Sequence, residues 1–341
     1  MKIYDIRFCK KEEMPLLVNF IKNHWQSDHI FVKSLKMLNF QHYDSALSRY
    51  NFIIGFNTIT NEIDGIIGTI PLSQFDSELA KNNDTWGGIW KVRTDVKNHK
   101  ISTLGASLFS IFDSYSSHGS IGMSKIATIL HKIRKYKIGV LKQYYILNNR
   151  VNDFKVADNV DLNQLPFFEK DKSNIKIKLI EDILAYQETD FKETYVPKKS
   201  IRYLYNRFQQ HPIYKYNSWE IFDSKSKAII ITRKIQIHGT YILRIVDVYG
   251  RLEKFGSLFE QFQEILYNES AEYIDILNFG ISDEIFLKIG FTKLDVKGQI
   301  IIPNYFEPFQ RENIEINCAY RSTNEYVIFK ADSDQDRPSI L

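Results

Sequence analysis

The sequence predicts a mixed α/β (α+β) fold made of two similar units in tandem, and three observations carry that prediction. The stretch Trp86–Phe112 reads as strand, loop and helix; the order of elements around it recurs from about residue 171; and one insertion reconciles the spacing of the matched residues. In WGGIWKVRTDVKNHKISTLGASLFSIF, Ile89–Asp95 alternates with the period of a strand, which sets Lys91, Arg93 and Asp95 on one face. Leu104, Leu108, Ile111 and Phe112 then fall on one helical stripe, with Ser102 or Thr103 placed to cap the helix N-terminus. The connection Val96–Ile101 leaves free backbone N–H groups at a helix N-terminus facing a strand end. That geometry holds a phosphate and suits a nucleotide-like cofactor.

Taken in order, Lys2–Phe8 reads as a strand and Lys11–His24 as an amphipathic helix with Leu16, Leu17, Phe20 and Ile21 inward. The polar loop HWQSDHIF leads to a helix closing near Tyr50, and NFIIGFN and IDGIIGTI form a hairpin turned by Thr58–Glu62. A polar excursion, Pro71–Asp84, precedes the central strand, and IATILHKIRKY and GVLKQYYIL follow its helix as helix and strand. In the second half IKIKLIE stands for the first strand, DILAYQETDFKE and KSIRYLYNRFQQHP for the helices, and YNSWEIF and AIIITRKIQ for the hairpin. GTYILRIVDVYG is its central strand, FGSLFEQFQEIL its helix, and EIFLKIGFTKLDVKGQIII closes the copy with Gly290 set against Gly139. Tyr50 and Tyr216 lie 166 apart, Asp95 and Asp247 152, and Gly139 and Gly290 151, so one extra segment within Leu72–Thr85 absorbs the difference. The units then run over 1–170 and 171–330, and ADSDQDRPSIL, 331–341, reads as a frayed polar tail.

Composition supports two cores and excludes several partners. A chain of 341 residues with 44% hydrophobic and 14% aromatic residues buries a core in each unit. Its 45 basic and 41 acidic residues, net +4, are interleaved rather than clustered, which argues against nucleic acid. Cys9 and Cys318 lie near opposite ends and read as reduced thiols in a reducing compartment. No apolar run approaches a membrane span and MKIYDIRFCKKEE is too polar for a signal peptide, so a cytoplasmic protein is expected.

The element order, with VRTDVKNHKISTLGASLF and KIGV in the first unit and RIVDVYGRLEKFGSLF and KIGF in the second, resembles the GNAT acyltransferase fold once in each half. Both helix-entry loops, VKNHKISTLG and YGRLEKFGSL, depart from the Gln/Arg-x-x-Gly-x-Gly pyrophosphate cradle of that family. HWQSDHIF, WKVRTD, YNRFQQHPIYKY and IIIPNYFEPF are similar to segments of the two-domain GNAT N-acyltransferases of nucleotide-amino-sugar biosynthesis. This resemblance implies transfer of an acyl group from acyl-coenzyme A, without a metal, to the amine of a dTDP- or UDP-linked 4-amino-4,6-dideoxy sugar in a cleft between the halves. The alternatives are a Fem-like aminoacyltransferase and a catalytically silent double domain that binds acyl-coenzyme A or a protein partner.

Acyl transfer to an amine needs a route for the amine proton, a donor for the oxyanion and a donor for the departing thiolate. The central strand offers backbone N–H groups near Lys91, Val92 and Arg93 to the thioester carbonyl, and Lys97, Lys100, Ser102 and Thr103 attend the pyrophosphate loop. Asp95, at the strand end, either accepts the ammonium proton or closes the strand–helix turn, as its counterpart Asp247 suggests. Thr85 supplies a hydroxyl ten positions before Asp95, which matches the acid and hydroxyl that the resemblance implies. His29 has the ordinary pKa of a base, and His24 reads as a helix C-cap. Trp25 and Asp28 belong to the loop that lines the acceptor pocket in this fold, and Arg207 is placed at the cleft to meet the sugar's diphosphate.

Overall fold

The computed structural model describes residues 3–96, 100–161 and 174–339. The first half runs β1 (Tyr4–Lys10), α1 (Met14–His24), α2 (Ile30–Lys33), α3 (Leu35–His42), β2 (Tyr43–Asp44), β3 (Arg49–Asn57), β4 (Glu62–Pro71), β5 (Asp84–Val92), α4 (Ile101–Phe112), β6 (Ser117–Ile121), α5 (Lys125–Ile133) and β7 (Lys137–Leu147). The second follows the same plan with β8 (Lys176–Ile180), α6 (Ile201–Leu204), β9 (Tyr216–Phe222), β10 (Lys227–Ile237), β11 (Thr240–Gly250), α7 (Phe259–Asn268), β12 (Ala271–Phe279), α8 (Asp283–Lys288) and β13 (Thr292–Lys293). A closing stretch adds β14 (Tyr305–Phe306), β15 (Phe309–Gln310), β16 (Ile316–Arg321) and β17 (Ile328–Phe329).

The strands β3 and β4 are apolar along their length because both faces are covered. Phe52, Ile54 and Ile66 pack with Leu17, Phe20, Ile21 and Phe31 on one side, while Ile53 and Ile67 meet Leu104, Leu108 and Phe112 of α4 on the other. The two halves share one sheet, ordered β1-β3-β4-β5-β6-β16-β7-β12-β11-β10-β9-β8. A reciprocal exchange joins them. The long β7 pairs through Lys137–Leu141 with β16 and through Lys142–Leu147 with β12, and β16, from the far end of the chain, enters the first half between β6 and β7. The sheet runs across the expected boundary at 170/171, which itself lies outside the described residues, and β16 of the second unit sits in the first.

The first half does carry an extra segment between β4 and β5, although of the three spacings that suggested it those of Asp95 to Asp247 and of Gly139 to Gly290 do not join structural counterparts. β10 and β11 are joined by the tight turn His238–Gly239, with φ +49° and +76°, whereas β4 and β5 are separated by the turns Leu72–Gln74 and Ser77–Asn82. Those turns dock on the other half: Asn206 donates to the Phe75 carbonyl at 2.6 Å and Ser200 Oγ to Asp76 Oδ2 at 2.5 Å.

Four local expectations are corrected. DILAYQETDFKE is not a helix; Asp182 accepts from the Leu184 amide and Asp190 from the Gln187 amide, local bonds that favour isolated turns over helix. The helix expected to close near Tyr50 ends at His42. Gly139 does not match Gly290: Gly139 lies within β7, whereas Gly290 follows α8 at φ +103°, the place taken in the first half by Lys135, φ +62°, after α5. The acidic tail is not frayed, since Ala331, Asp332, Ser333 and Asp336 are buried. Its carboxylates find partners far away in sequence, Asp332 at 2.6 Å from Lys199 Nζ and Asp336 accepting from the Tyr216 hydroxyl at 2.8 Å. Cys9 and Cys318 are free buried thiols, both pushed up to about 12 by burial. Among the described residues no helix is long and apolar enough to cross a membrane.

Candidate active site

The parallel strands β5 and β6 pair from Asp84↔Ser117 to Gly87↔Ser120 and then part. On its other edge β5 carries one residue more than β4 between the pairs Thr69↔Gly87 and Ile67↔Trp90, a bulge at Gly88–Ile89 that bends β5 away from β6. The opening holds a cavity of about 490 Å³, walled by Trp90, Val92, Phe109, Phe112 and Met123. Beyond Gly87 the backbone of β5 meets this cavity instead of a strand, so its polar groups on that edge are offered to a ligand. Trp90 stacks on Phe109 with centroids 5.0 Å apart, and the His131 ring stands edge-on to Phe109 at 5.0 Å.

Ser120 and His131 line the same cavity as a pair. His131 Nδ1 lies 2.8 Å from the Ala127 carbonyl, which only accepts, so Nδ1 carries the proton and Nε2 accepts from Ser120 Oγ at 3.3 Å. Burial lowers the pKa of this imidazole and favours its neutral form.

A second, polar cavity of about 100 Å³ adjoins the first, lined among others by Arg233, Arg244, Tyr305, Lys330, Asp334 and Asp336. The segment 331–337 separates the two. Arg207 donates to the carbonyls of Ala331 and Ser333, and Ser333 Oγ donates to the Gly87 carbonyl at 2.7 Å. The partition is thin because its cleft side is glycine: a Cβ on Gly88 would stand 3.3 Å from Asp334 Oδ2, and one on Gly122 would collide with the Gln335 amide. Asp334 is held loosely, by Ser333 Oγ and Arg337 Nε, each at 3.4 Å.

The second half repeats the splay and fills it. β11 and β12 pair in parallel as far as Ile245↔Ile276, after which β17 takes the edge of β12 at Asn278 and Phe279. Lys199 Nζ lies 2.6 Å from both Asp247 Oδ1 and Asp332 Oδ1, closing the gap with a buried ion cluster. Burial, with the neighbouring Asp332 carboxylate, pushes the Asp247 carboxyl up. About 10 Å³ remains open beside Lys199, Val248 and Phe329.

The expected site residues separate in space. Trp25, Lys91 and Val92 line the first cavity. Arg93 does not; it is committed to Glu62, Asp64 and Asp95 at 2.8, 3.1 and 2.8 Å. Asp95 is half exposed in that network, and Arg93 holds its carboxyl far below the usual carboxylate range. It is not the counterpart of Asp247: the last paired residues are Gly87 and Ile245, and Asp247 follows its own within two residues while Asp95 lies well past β5. Thr85 is buried, its hydroxyl without a partner among the described residues, and lies outside the cavity lining. His29 caps α2, its Nδ1 accepting from the Phe31 amide, and burial lowers it to about 3. Asp28 is exposed. Lys100, with no side-chain capping bond, is the N-cap of α4; Ser102 and Thr103 lie inside the first turn, where Thr103 Oγ1 donates back to the Lys100 carbonyl. Lys97 falls outside the described residues. Arg207 serves the chain's own backbone rather than an open cleft. Ser120, His131, Gly88, Gly122 and Asp334 were not expected; the Gly87-Gly88 pair between Trp86 and Ile89 within a strand was the available signal, since it marks a bulge or a close approach.

No family model matches the sequence, and no curated protein is similar to it in sequence. Solved structures are similar in fold. A GCN5-related N-acetyltransferase from Anabaena variabilis ATCC 29413 superposes over 94% of this chain and 73% of its own, with TM-score 0.52 and 10% identity. A protein of unknown function from Enterococcus faecalis V583, described as a probable N-acyltransferase, matches over 92% of this chain and 71% of its own, with TM-score 0.53 and 11% identity. The chain thus has the mixed α/β GNAT-like fold, built twice around one large sheet.

Proposed function

We propose that this chain is an N-acyltransferase that takes an acyl group from acyl-coenzyme A in the first-half cleft and gives it to an amine presented from the polar cavity. The observation that carries the reading is the meeting of an apolar cleft and a polar cavity across Gly87, Gly88 and Gly122, with the Asp334 carboxylate on the polar side. An apolar slot beside an unpaired strand edge suits a pantetheine arm, whose amides pair with the β5 backbone near Lys91 and Val92. The N-terminus of α4, with Lys100, Ser102 and Thr103 and with Lys97 before it, attracts the pyrophosphate. The acylated amine loses its proton to Asp334 as the new C–N bond forms and the C–S bond breaks. The Ser120 hydroxyl turns from His131 to hydrogen-bond the departing thiolate.

For the acceptor, the resemblance in sequence favours a dTDP- or UDP-linked 4-amino-4,6-dideoxy sugar, and Arg233, 4.0 Å from the Tyr214 ring in the polar cavity, supports an anionic acceptor. The test is thiol release from a panel of acyl-coenzyme A thioesters against nucleotide-linked amino sugars, free amino sugars and amino acids. Thiol appearing only when an amine is present supports the reading. Tight binding of the thioester with no amine consumed would overturn it in favour of a silent double domain.

A further inference from the structure

We infer that the polar cavity binds an oxyanion carried by the acceptor itself, a carboxylate or phosphoryl group close to the amine that is acylated. The identity of the acylated molecule rests on the transferase reading; the anion site does not. The cavity is lined by four cations, and two of them are already satisfied. Arg244 makes four hydrogen bonds, to Asp275 at 2.9 and 2.6 Å and to the carbonyls of Pro303 and Asn304. Arg337 donates to the Pro338 carbonyl at 3.1 Å, lies over the Phe31 ring and is 3.4 Å from Asp334.

The other two are not satisfied. Lys330 is 3% exposed, and its ammonium donates to the Asn304 carbonyl at 2.5 Å; among the described residues no carboxylate pairs with it. Arg233, 7% exposed, leaves Nε and Nη1 without a hydrogen-bond partner, and Asp336 Oδ1 stands 3.6 Å from Nη1, beyond a good bond. Glu307 accepts from the Tyr214 hydroxyl and the Ser339 amide and acts on Arg233 as a nearby charge without a direct bond among the described residues. Buried donors without acceptors are costly, and a two-oxygen anion between Lys330 and Arg233 removes that cost. The same cavity leaves acceptors unused, Asn304 Oδ1 and Asp336 Oδ1, besides the loosely held Asp334. Those fit the hydrogens of an amine. Burial lowers the pKa of Lys330 well below its usual value, and an adjacent anion would restore its charge.

Size narrows the ligand. A space of about 100 Å³ admits an amino-carboxylate whole, and of a nucleotide sugar no more than a fragment, such as one phosphate of its internal diphosphate. The experiment uses the full-length protein and matched acceptor pairs in the thiol-release assay: an amino acid and its methyl ester, and an amino-sugar phosphate and the free amino sugar. The anionic member of one pair should be used with kcat/KM roughly tenfold or more above its neutral mate, and Lys330→Met should erase that preference. The pair that shows the preference identifies the anion. Equal use of anionic and neutral members by the unaltered protein overturns the inference without reference to any variant. If acyl-coenzyme A binds but no amine is acylated, the transferase reading falls separately. The anion site is then decided by whether acetate or inorganic phosphate raises the melting temperature of the unaltered protein and not of Lys330→Met; no rise in either overturns it.

Discussion

Two places in this molecule begin from the same backbone geometry and end differently. β5 and β6 diverge around a cavity of about 490 Å³, while the divergence of β11 and β12 is filled by the chain itself. The strands part in both; what differs is the chain that comes to cover them. In the second half β17 pairs along β12, and Asp332 and Asp247 share the Lys199 ammonium inside the gap. In the first half the same C-terminal segment passes on the other side of Gly87 and Gly88, held off by the Ser333 bond to the Gly87 carbonyl, and the gap stays open. A parted pair of strands becomes a site only when the rest of the chain leaves it uncovered.

The sharpest way to break this comparison is Lys199→Met, which leaves two buried carboxylates without their cation. Denaturant unfolding should show a loss of about 3–5 kcal/mol. A loss below about 1 kcal/mol, as for an exposed pair, would mean that the plug is not held by its charges. Next is Asp334→Asn on the open side: kcat for thiol release should fall roughly 10²-fold or more, with acyl-coenzyme A affinity retained. Unchanged turnover would remove Asp334 from the chemistry.

Acid should strike the open half harder. His29 and His42, both in it, are lowered to about 3 by burial, against about 6.5 in the unfolded chain. The unfolded state therefore binds their protons first, so their contribution to stability is complete above pH 6.5 and is lost as the pH falls towards 3. The slope is about 1.4 kcal/mol per histidine for each pH unit, measurable by denaturant unfolding between pH 7 and 4.5, and a flat profile would contradict the burial of these rings. Ser120→Ala removes one charge-assisted hydrogen bond to sulfur and should lower kcat roughly tenfold without moving KM for the amine. Asp95→Asn should do least, with turnover and acyl-coenzyme A affinity unchanged, because its carboxylate is spent on Arg93 outside the cavity. A clear fall in kcat would return the role of base to it.

Much of the fold was legible in the residues. The alternation from Ile89 and the stripe of Leu104, Leu108 and Phe112 set β5 and α4, although β5 ends at Val92 rather than Asp95, and the polar run Pro71–Asp84 marked the turns between β4 and β5. Of the site, only the part lying on that strand and the loop beside α1 could be read, namely Lys91, Val92 and Trp25. Arg93 and Asp95 alternate as well as Lys91 does, and nothing local says that they pair with each other rather than face a ligand.

By itself the sequence determined α1, α4 and α7 and the hairpin strands β3, β4, β9 and β10 in their order, because periodicity and capping depend on neighbours within one turn or one pleat, whereas β6, β12, β16 and β17 were not read from it. Only the tertiary structure decided that β7 and β16 are exchanged, that Lys330–Asp332 closes one splay, and that Asp334 comes to Gly88 across more than half of the chain. The acidic tail shows why. Its charges look solvated until the fold brings Lys199, Arg207 and Tyr216 to meet its carboxylates and carbonyls, and that satisfaction of buried polar groups is a property of the whole packed chain.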